Sequence, residues 1–219
     1  MNLLAAACSG TSREALARLS VGKRDAHLLT LREWMFGPRM VSIASCLNCG
    51  ERLELTFNAA DLHVMAETES AETLSLDVDE YELRFRLPDS TDLAALEDCR
   101  GGVAARQLLL GRCISAAKHK GEQVAIDRLP PGVVDAVAEH MAQADPQANL
   151  QLALSCPACD FQWQALFDIE SFLWSEINAW ANRTLKEVHA LASAYGWREI
   201  DILNMSPLRR QAYLNLVSG

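Results

Sequence analysis

Two short turns, Cys46-Leu47-Asn48-Cys49 and Cys156-Pro157-Ala158-Cys159, constrain the fold of this chain more than any other feature. Two thiolates three residues apart on a tight turn can point at one ion. Two such turns complete the tetrahedral four-thiolate shell that zinc takes in structural sites. Gly50 after the first pair and Pro157 inside the second suit the backbone of such turns. A shell filled by four sulfurs is closed to water, and therefore structural rather than catalytic. Redox dithiols and a vestigial site are the alternatives, and the βαβ context of a thioredoxin-like motif is missing.

A compact ribbon separates its two pairs by about 15–20 residues, whereas residues 50–155 intervene here. The expected fold is therefore α+β: a zinc-ribbon-like antiparallel sheet formed by two distant CxxC hairpins and opened by a large insertion. The expected parts are an N-terminal helical segment (1–45), the composite ribbon (46–57 with 150–167), an inserted mixed segment (58–149) and a C-terminal helical region (168–219). A length of 219 residues, half of them hydrophobic, suits one domain carrying an insertion and is enough to bury a core.

Net charge is -9, from 20 Lys+Arg against 29 Asp+Glu. A dedicated nucleic-acid binder, or a protein adhering to anionic membrane, needs the opposite sign. Most of the excess is local: seven acids lie between 67 and 82 (Glu67, Glu69, Glu72, Asp77, Asp79, Glu80, Glu82), with no Lys or Arg among them. That run reads as a solvated loop and strand edge, or as a docking site for a basic partner. No segment reaches the roughly 18–20 apolar residues of a membrane span. The opening MNLLAAAC imitates a lipoprotein signal but lacks a positive n-region. Cytoplasmic synthesis is expected, and a reducing compartment suits unpaired thiols.

Along the chain, Ser12 is placed to cap a short helix to Leu19. A second helix follows the Val21-Gly22 break, with Ala26, Leu28, Leu29, Leu31 and Trp34 on one face, and stops near Gly37-Pro38. Residues 51–57, 81–87, 150–155 and 161–167 alternate as strands. Helical patterns occupy 91–98, capped by Ser90 or Thr91, then 103–118 and 130–143. The clearest helix spans 168–194, about 40 Å long. Ile169, Phe172, Leu173, Ile177, Trp180, Thr184, Val188, Leu191 and Tyr195 share its apolar stripe, and Gly196 ends it. A WREIDIL turn leads into a last helix opened by Ser206-Pro207.

Cys8, Cys99 and Cys113 have no companion at ligand spacing and read as small buried hydrophobes. The five histidines are scattered, with no HExxH pair. GxxxxGK[ST], GxGxxG after a strand, and GxSxG are all absent, so nothing in the sequence calls for an enzyme or a small-molecule substrate. Trp34 and Trp163 are expected inside. Trp174 lies off the apolar stripe, and with Trp197, Arg209, Arg210 and Tyr213 it makes a candidate C-terminal docking surface. Local packing of these residues is the alternative.

The segments FDIESFLWSEI, KEVHALASAYGW and DILNMSPLRRQAYL, with Asp168, Trp174, Gly196, Trp197, Ser206, Pro207 and Tyr213 among the residues that carry it, resemble the baseplate (hub assembly) proteins of T-even-like contractile phages and phage-tail-like contractile injection systems. The stretches ALARLSVGKRDAHLLTLREWMFGPRM, CLNCGERLEL and RFRLPDSTDL are similar to longer members in injection-system clusters, so the resemblance covers most of the chain and is most specific over 156–216. Asp160 stands where glycine is common after the second pair. The resemblance implies a non-enzymatic role in building the baseplate, either within the particle or as an assembly factor that leaves, with other baseplate, hub or spike proteins as partners. A zinc-ribbon nucleic-acid-binding regulator and a thiol-redox enzyme are the competing functions.

Overall fold

The structure, a computed structural model, describes residues 2–8, 10–64 and 73–218. Glu67, Glu69 and Glu72 of the acidic run lie outside the described residues. The chain divides into two compact units, Met1–Ile169 and Glu170–Gly219.

The first unit opens with helices α1 (Asn2–Ala7), α2 (Arg13–Ala17) and α3 (Val21–Phe36). Ser12 Oγ accepts the Ala15 N–H at 3.1 Å, and Ser20 Oγ accepts that of Lys23 at 3.3 Å, so hydroxyls cap α2 and α3. Val21-Gly22, expected as a break, instead begins α3. The Gly22 N–H donates to Asp145 Oδ2 at 2.9 Å, and a Cβ at this position would collide with the same carboxylate. Glycine is there for that close approach. The buried face of α3 runs through Gly22, Arg24, Leu28, Leu29 and Arg32, which leaves Trp34, expected inside, 77% exposed.

Helix does not continue to residue 45. Strand β1 (Arg39–Ser45) pairs antiparallel with β2 (Arg52–Asn58) from Arg39↔Asn58 to Ser45↔Arg52. Val41 and Ile43, whose branched Cβ atoms favour extended backbone, lie on the outer face of this first hairpin.

A four-stranded antiparallel sheet follows, β3 (Leu74–Val78), β4 (Tyr81–Phe85), β5 (Ile114–His119) and β6 (Glu122–Gln123), in the order β3-β4-β5-β6. Asp79 and Glu80 turn β3 into β4 with φ of 48° and 65°, and Asp77 lies directly opposite Glu82, so these four acids gather at the β3–β4 turn end of the sheet. Between β4 and β5 come α4 (Ser90–Ala94) and α5 (Gly102–Cys113). The cap of α4 is Asp89 rather than Ser90 or Thr91; its carboxylate accepts from the Thr91 and Asp92 N–H groups. Residues 114–118, expected to extend α5, are strand. Leu110, Cys113 and Ala117 fit helical spacing, but pairing with β4 takes over from Ile114.

Helix α6 (Pro131–Ala144) completes this layer. Leu83 and Phe85 of β4, and Ile114 and Ala117 of β5, form one core cluster with Leu110 and Cys113 of α5 and Val133, Val137 and Met141 of α6. Each fully buried side chain of this size contributes about 1.5–3 kcal/mol relative to exposure. Gln147 Oε1 accepts the Val64 N–H at 2.8 Å and its Nε2 donates to the Leu62 carbonyl at 3.1 Å, which fastens the end of the first hairpin's exit to the segment after α6. Strands β7 (Gln151–Ser155) and β8 (Gln162–Leu166) then form the second hairpin, Gln151↔Leu166 through Ser155↔Gln162. The two hairpins are separate two-stranded sheets, not one ribbon sheet.

Helix α7 (Ile169–Tyr195) leads into the second unit, which includes α8 (Glu199–Leu203), where a plain turn was expected, and α9 (Pro207–Ser218). Gly196, at φ +69°, ends α7, its N–H donating to the Ala192 carbonyl at 2.8 Å. Val188, Leu191 and Ile202 form this unit's buried cluster, with Trp197, Tyr213 and Leu214 against it. Of the three single cysteines, Cys113 is buried, whereas Cys8 and Cys99 are only half-buried.

Candidate metal centre

Each CxxC turn is the tip of its hairpin, and the two tips repeat one backbone pattern. Cys46 N–H donates to the Glu51 carbonyl at 2.8 Å and Gly50 N–H to the Cys46 carbonyl at 3.0 Å. The matching bonds are Cys156 to Phe161 at 2.9 Å and Asp160 to Cys156 at 2.9 Å. The residue closing each turn is left-handed, Gly50 at φ +77° and Asp160 at φ +56°. Glycine occupies that conformation freely, and Asp is among the few L-residues that tolerate it. We expect Gly50→Ala to cost about 1 kcal/mol and Asp160→Gly to gain about 0.5 kcal/mol. Denaturant unfolding of the two variants checks both signs; a neutral Gly50→Ala would refute the backbone assignment.

The turns bring the four sulfurs of Cys46, Cys49, Cys156 and Cys159 within 4.8 Å of one another. Across the turns, Cys46 Sγ lies 3.7 Å from Cys159 Sγ, and Cys49 Sγ lies 3.6 Å from Cys156 Sγ. Zinc at its usual distance of about 2.3 Å from each of four tetrahedral sulfurs separates them by about 3.8 Å, so the donor set fits in number, type and spacing. Beneath the sulfurs, Cys46, Cys156 and Leu53 are buried together, with Leu55, Cys159 and half-buried Trp163 packed against them. Among the described residues no other group of three His, Cys, Asp or Glu side chains converges in this way.

The thiols are electrically unequal. Hydrogen bonds from the Asn48 side chain and the Phe161 backbone bring the Cys159 thiol down to about 6. Burial raises the Cys46 thiol, but N–H donors of Cys49 and Asn48 outweigh it and leave it below its ordinary value. The Glu51 N–H lowers the Cys49 thiol, but the surrounding sulfurs, Cys159 foremost, push it up to about 12. Four thiolates this close repel one another, so protons stay on some of them until a cation takes their place.

The proposed docking residues are less uniform. Trp174 is 54% exposed. Trp197 stacks on Tyr195 at 4.5 Å between centroids and meets Tyr213 edge-on at 4.8 Å, with the Arg209 guanidinium 5.8 Å from the Tyr213 ring. Arg210 is not on the surface: it is buried, donates Nε to Glu187 Oε2 at 3.1 Å and Nη1 to the Met205 carbonyl at 2.9 Å. Arg86, Asp92 and Arg112 form a cluster outside the expected site, and RFRLPDSTDL contains two of its members. Arg86 two residues before a proline, and an acid three residues beyond a capping Asp, were the available signals.

No described helix is long and apolar enough to cross a membrane. No match is found among curated proteins or among solved structures. The family described as T4 bacteriophage base plate protein matches residues 1–174, which include both CxxC hairpins and the sheet between them. Most of 156–216, the stretch that carries the sequence resemblance most specifically, lies beyond the match. The chain belongs to the T4 bacteriophage base plate protein family.

Proposed function

We propose that the chain is a non-enzymatic structural component or assembly factor of the baseplate of a contractile tail or injection system, and that Cys46, Cys49, Cys156 and Cys159 hold one zinc ion. One observation carries the metal reading. Four sulfurs converge within 4.8 Å from hairpin tips with a whole four-stranded sheet between them in sequence. Chance rarely assembles four soft donors in this way, and a full thiolate set selects zinc over harder cations. The ion would supply a cross-link between two hairpins that share no strand pairing. The chain's own residues do the rest: backbone bonds hold each turn, and Leu53 and Trp163 seal the site from below.

Family membership supports the baseplate setting, and the partners are other baseplate, hub or spike proteins. The net charge of -9 opposes a nucleic-acid role. The seven cysteines form no disulfide, which suits synthesis in a reducing cytoplasm. Trp174, near the start of α7, is the proposed docking anchor; Trp197, Arg209 and Tyr213 form a separate aromatic surface at the far end of that helix, about 30 Å away, beside the buried Arg210. Affinity capture of the tagged protein from cells producing tail particles is expected to recover baseplate, hub or spike proteins. Trp174→Ala is expected to reduce that recovery at least about fivefold without shifting the melting temperature. Capture of none of these partners, or salt-dependent retention of nucleic acid instead, would overturn the proposal.

A further inference from the structure

We infer that Asn48 is a positioning residue of the four-thiolate centre, bonding to sulfurs of both hairpins and stabilising their charge. This rests on the metal reading above. Asn48 donates its backbone N–H to Cys46 Sγ at 3.4 Å and its side-chain Nδ2 to Cys159 Sγ at 3.5 Å. The first bond stays inside the turn. The second crosses to the opposite hairpin.

The arrangement is one-sided. The residue at the matching position of the second turn is Ala158, which has no side-chain donor to return. The two hairpins share no strand ladder, so the Asn48 bond and the sulfurs supply the polar link between tips whose apolar contact is the Leu53–Trp163 cluster below them. Zinc with four thiolates carries a net charge of about minus two, spread over the sulfurs. At an exposed tip that charge draws water and acid unless N–H donors meet it. Partners that bond the ligands of a metal set ligand orientation and retention, and their loss typically lowers metal affinity about 10–100-fold. Asn48 is exposed and its side chain has no packing role, so its loss acts on the centre and not on the core.

Two substitutions separate this role from simple space-filling. Asn48→Ala removes the cross-hairpin donor. Asn48→Asp keeps the shape but sets a carboxylate against the Cys159 thiolate. Zinc retention is measured by competition with a chromogenic chelator, and the sulfur-to-metal charge-transfer band is recorded after cobalt substitution, on protein shown to be folded by circular dichroism. The expected result is about tenfold weaker zinc binding in Asn48→Ala, a larger loss in Asn48→Asp, and a displaced charge-transfer band in both. Asn48→Asp with wild-type affinity and an unmoved band, in a wild type that holds zinc, overturns the role of Asn48 and leaves the metal centre standing. A wild type that holds no zinc overturns the metal reading itself.

Discussion

Cys156→Ser and Cys46→Ser are each expected to abolish stoichiometric zinc retention and to lower the melting temperature by at least about 10 °C, the largest effect of any single substitution in the chain. The magnitude follows from comparing two quantities. A structural zinc site contributes roughly 10–16 kcal/mol of apparent binding free energy at neutral pH, whereas the net stability of a whole domain is only about 5–15 kcal/mol. Both cysteines are buried, so a serine there leaves a poor ligand and an under-satisfied hydroxyl beside three sulfurs. The loss is not local. The two hairpins are joined by no strand pairing, and residues 50–155 run between their tips, so the proposed cross-link would close a loop that holds the whole inserted sheet. Wild-type protein stripped by a chelator should melt where the serine variants melt. Zinc binds deprotonated thiols, so protons compete with it: the stabilisation is present at neutral pH and is lost as pH falls. Differential scanning fluorimetry with and without chelator, together with metal analysis, reads all of this. A Cys156→Ser protein that melts with the wild type would remove the metal from the account of this fold.

The four cysteines were legible because their chemistry depends on residue type and spacing, which a sequence states outright. The same holds for Ser12 as a cap, for the alternating strands beside each turn, and for the extent of α7, although Trp180 and Tyr195 of its expected apolar stripe are exposed. What was missed turns on tertiary pairing. Arg39–Ser45 has no clean alternation, and only β2 makes it a strand. Ile114–His119 continues a helical pattern, and only β4 turns it into a sheet. Gly22 reads as a break until Asp145, far along the chain, is seen to need the space of its missing Cβ. Trp34 illustrates the converse. Its place on the apolar face with Leu28 and Leu31 argued for burial, but the face of α3 that is covered includes two arginines instead. Arg210, likewise, has the look of a surface cation in sequence, and Glu187 with the Met205 carbonyl draws it inside. The periodicity of a segment says which residues share a face; it does not say which face finds a partner.

Asp92→Asn is the second large expected effect: a loss of about 2 kcal/mol at neutral pH, with Asp92→Ala losing more. The Asp92 side chain is wholly buried. It accepts Arg86 Nη1 at 2.6 Å and Nη2 at 2.9 Å, Arg112 Nε at 2.8 Å and the Asp89 N–H at 3.0 Å. That paired fork of Arg86 is the strongest geometry available to a carboxylate, and the cluster ties β4, the start of α4 and the end of α5 into one joint. Asparagine keeps the volume but removes the charge, and turns an N–H₂ group toward guanidinium donors that need an acceptor. Arg86 and Arg112 are 32% and 38% exposed, so water takes up part of what they lose, and the penalty is that of the charge-assisted bonds lost at the buried Asp92 end, above the modest worth of an exposed bridge. Burial alone would raise the Asp92 carboxyl, but the Arg86 bonds, the Asp89 N–H and Arg112 outweigh it and hold it well below the usual carboxylate range. Its folded-state value therefore lies under the unfolded value of about 3.9. The contribution is complete above that value and disappears as pH falls through the folded one. Urea unfolding should show a constant gap between wild type and Asp92→Asn from pH 8 to about pH 5, narrowing by pH 3 as the unfolded wild type takes up its proton. Equal stability of the two proteins at pH 7, or a gap that widens in acid, would show that Asp92 is held by packing and not by charge.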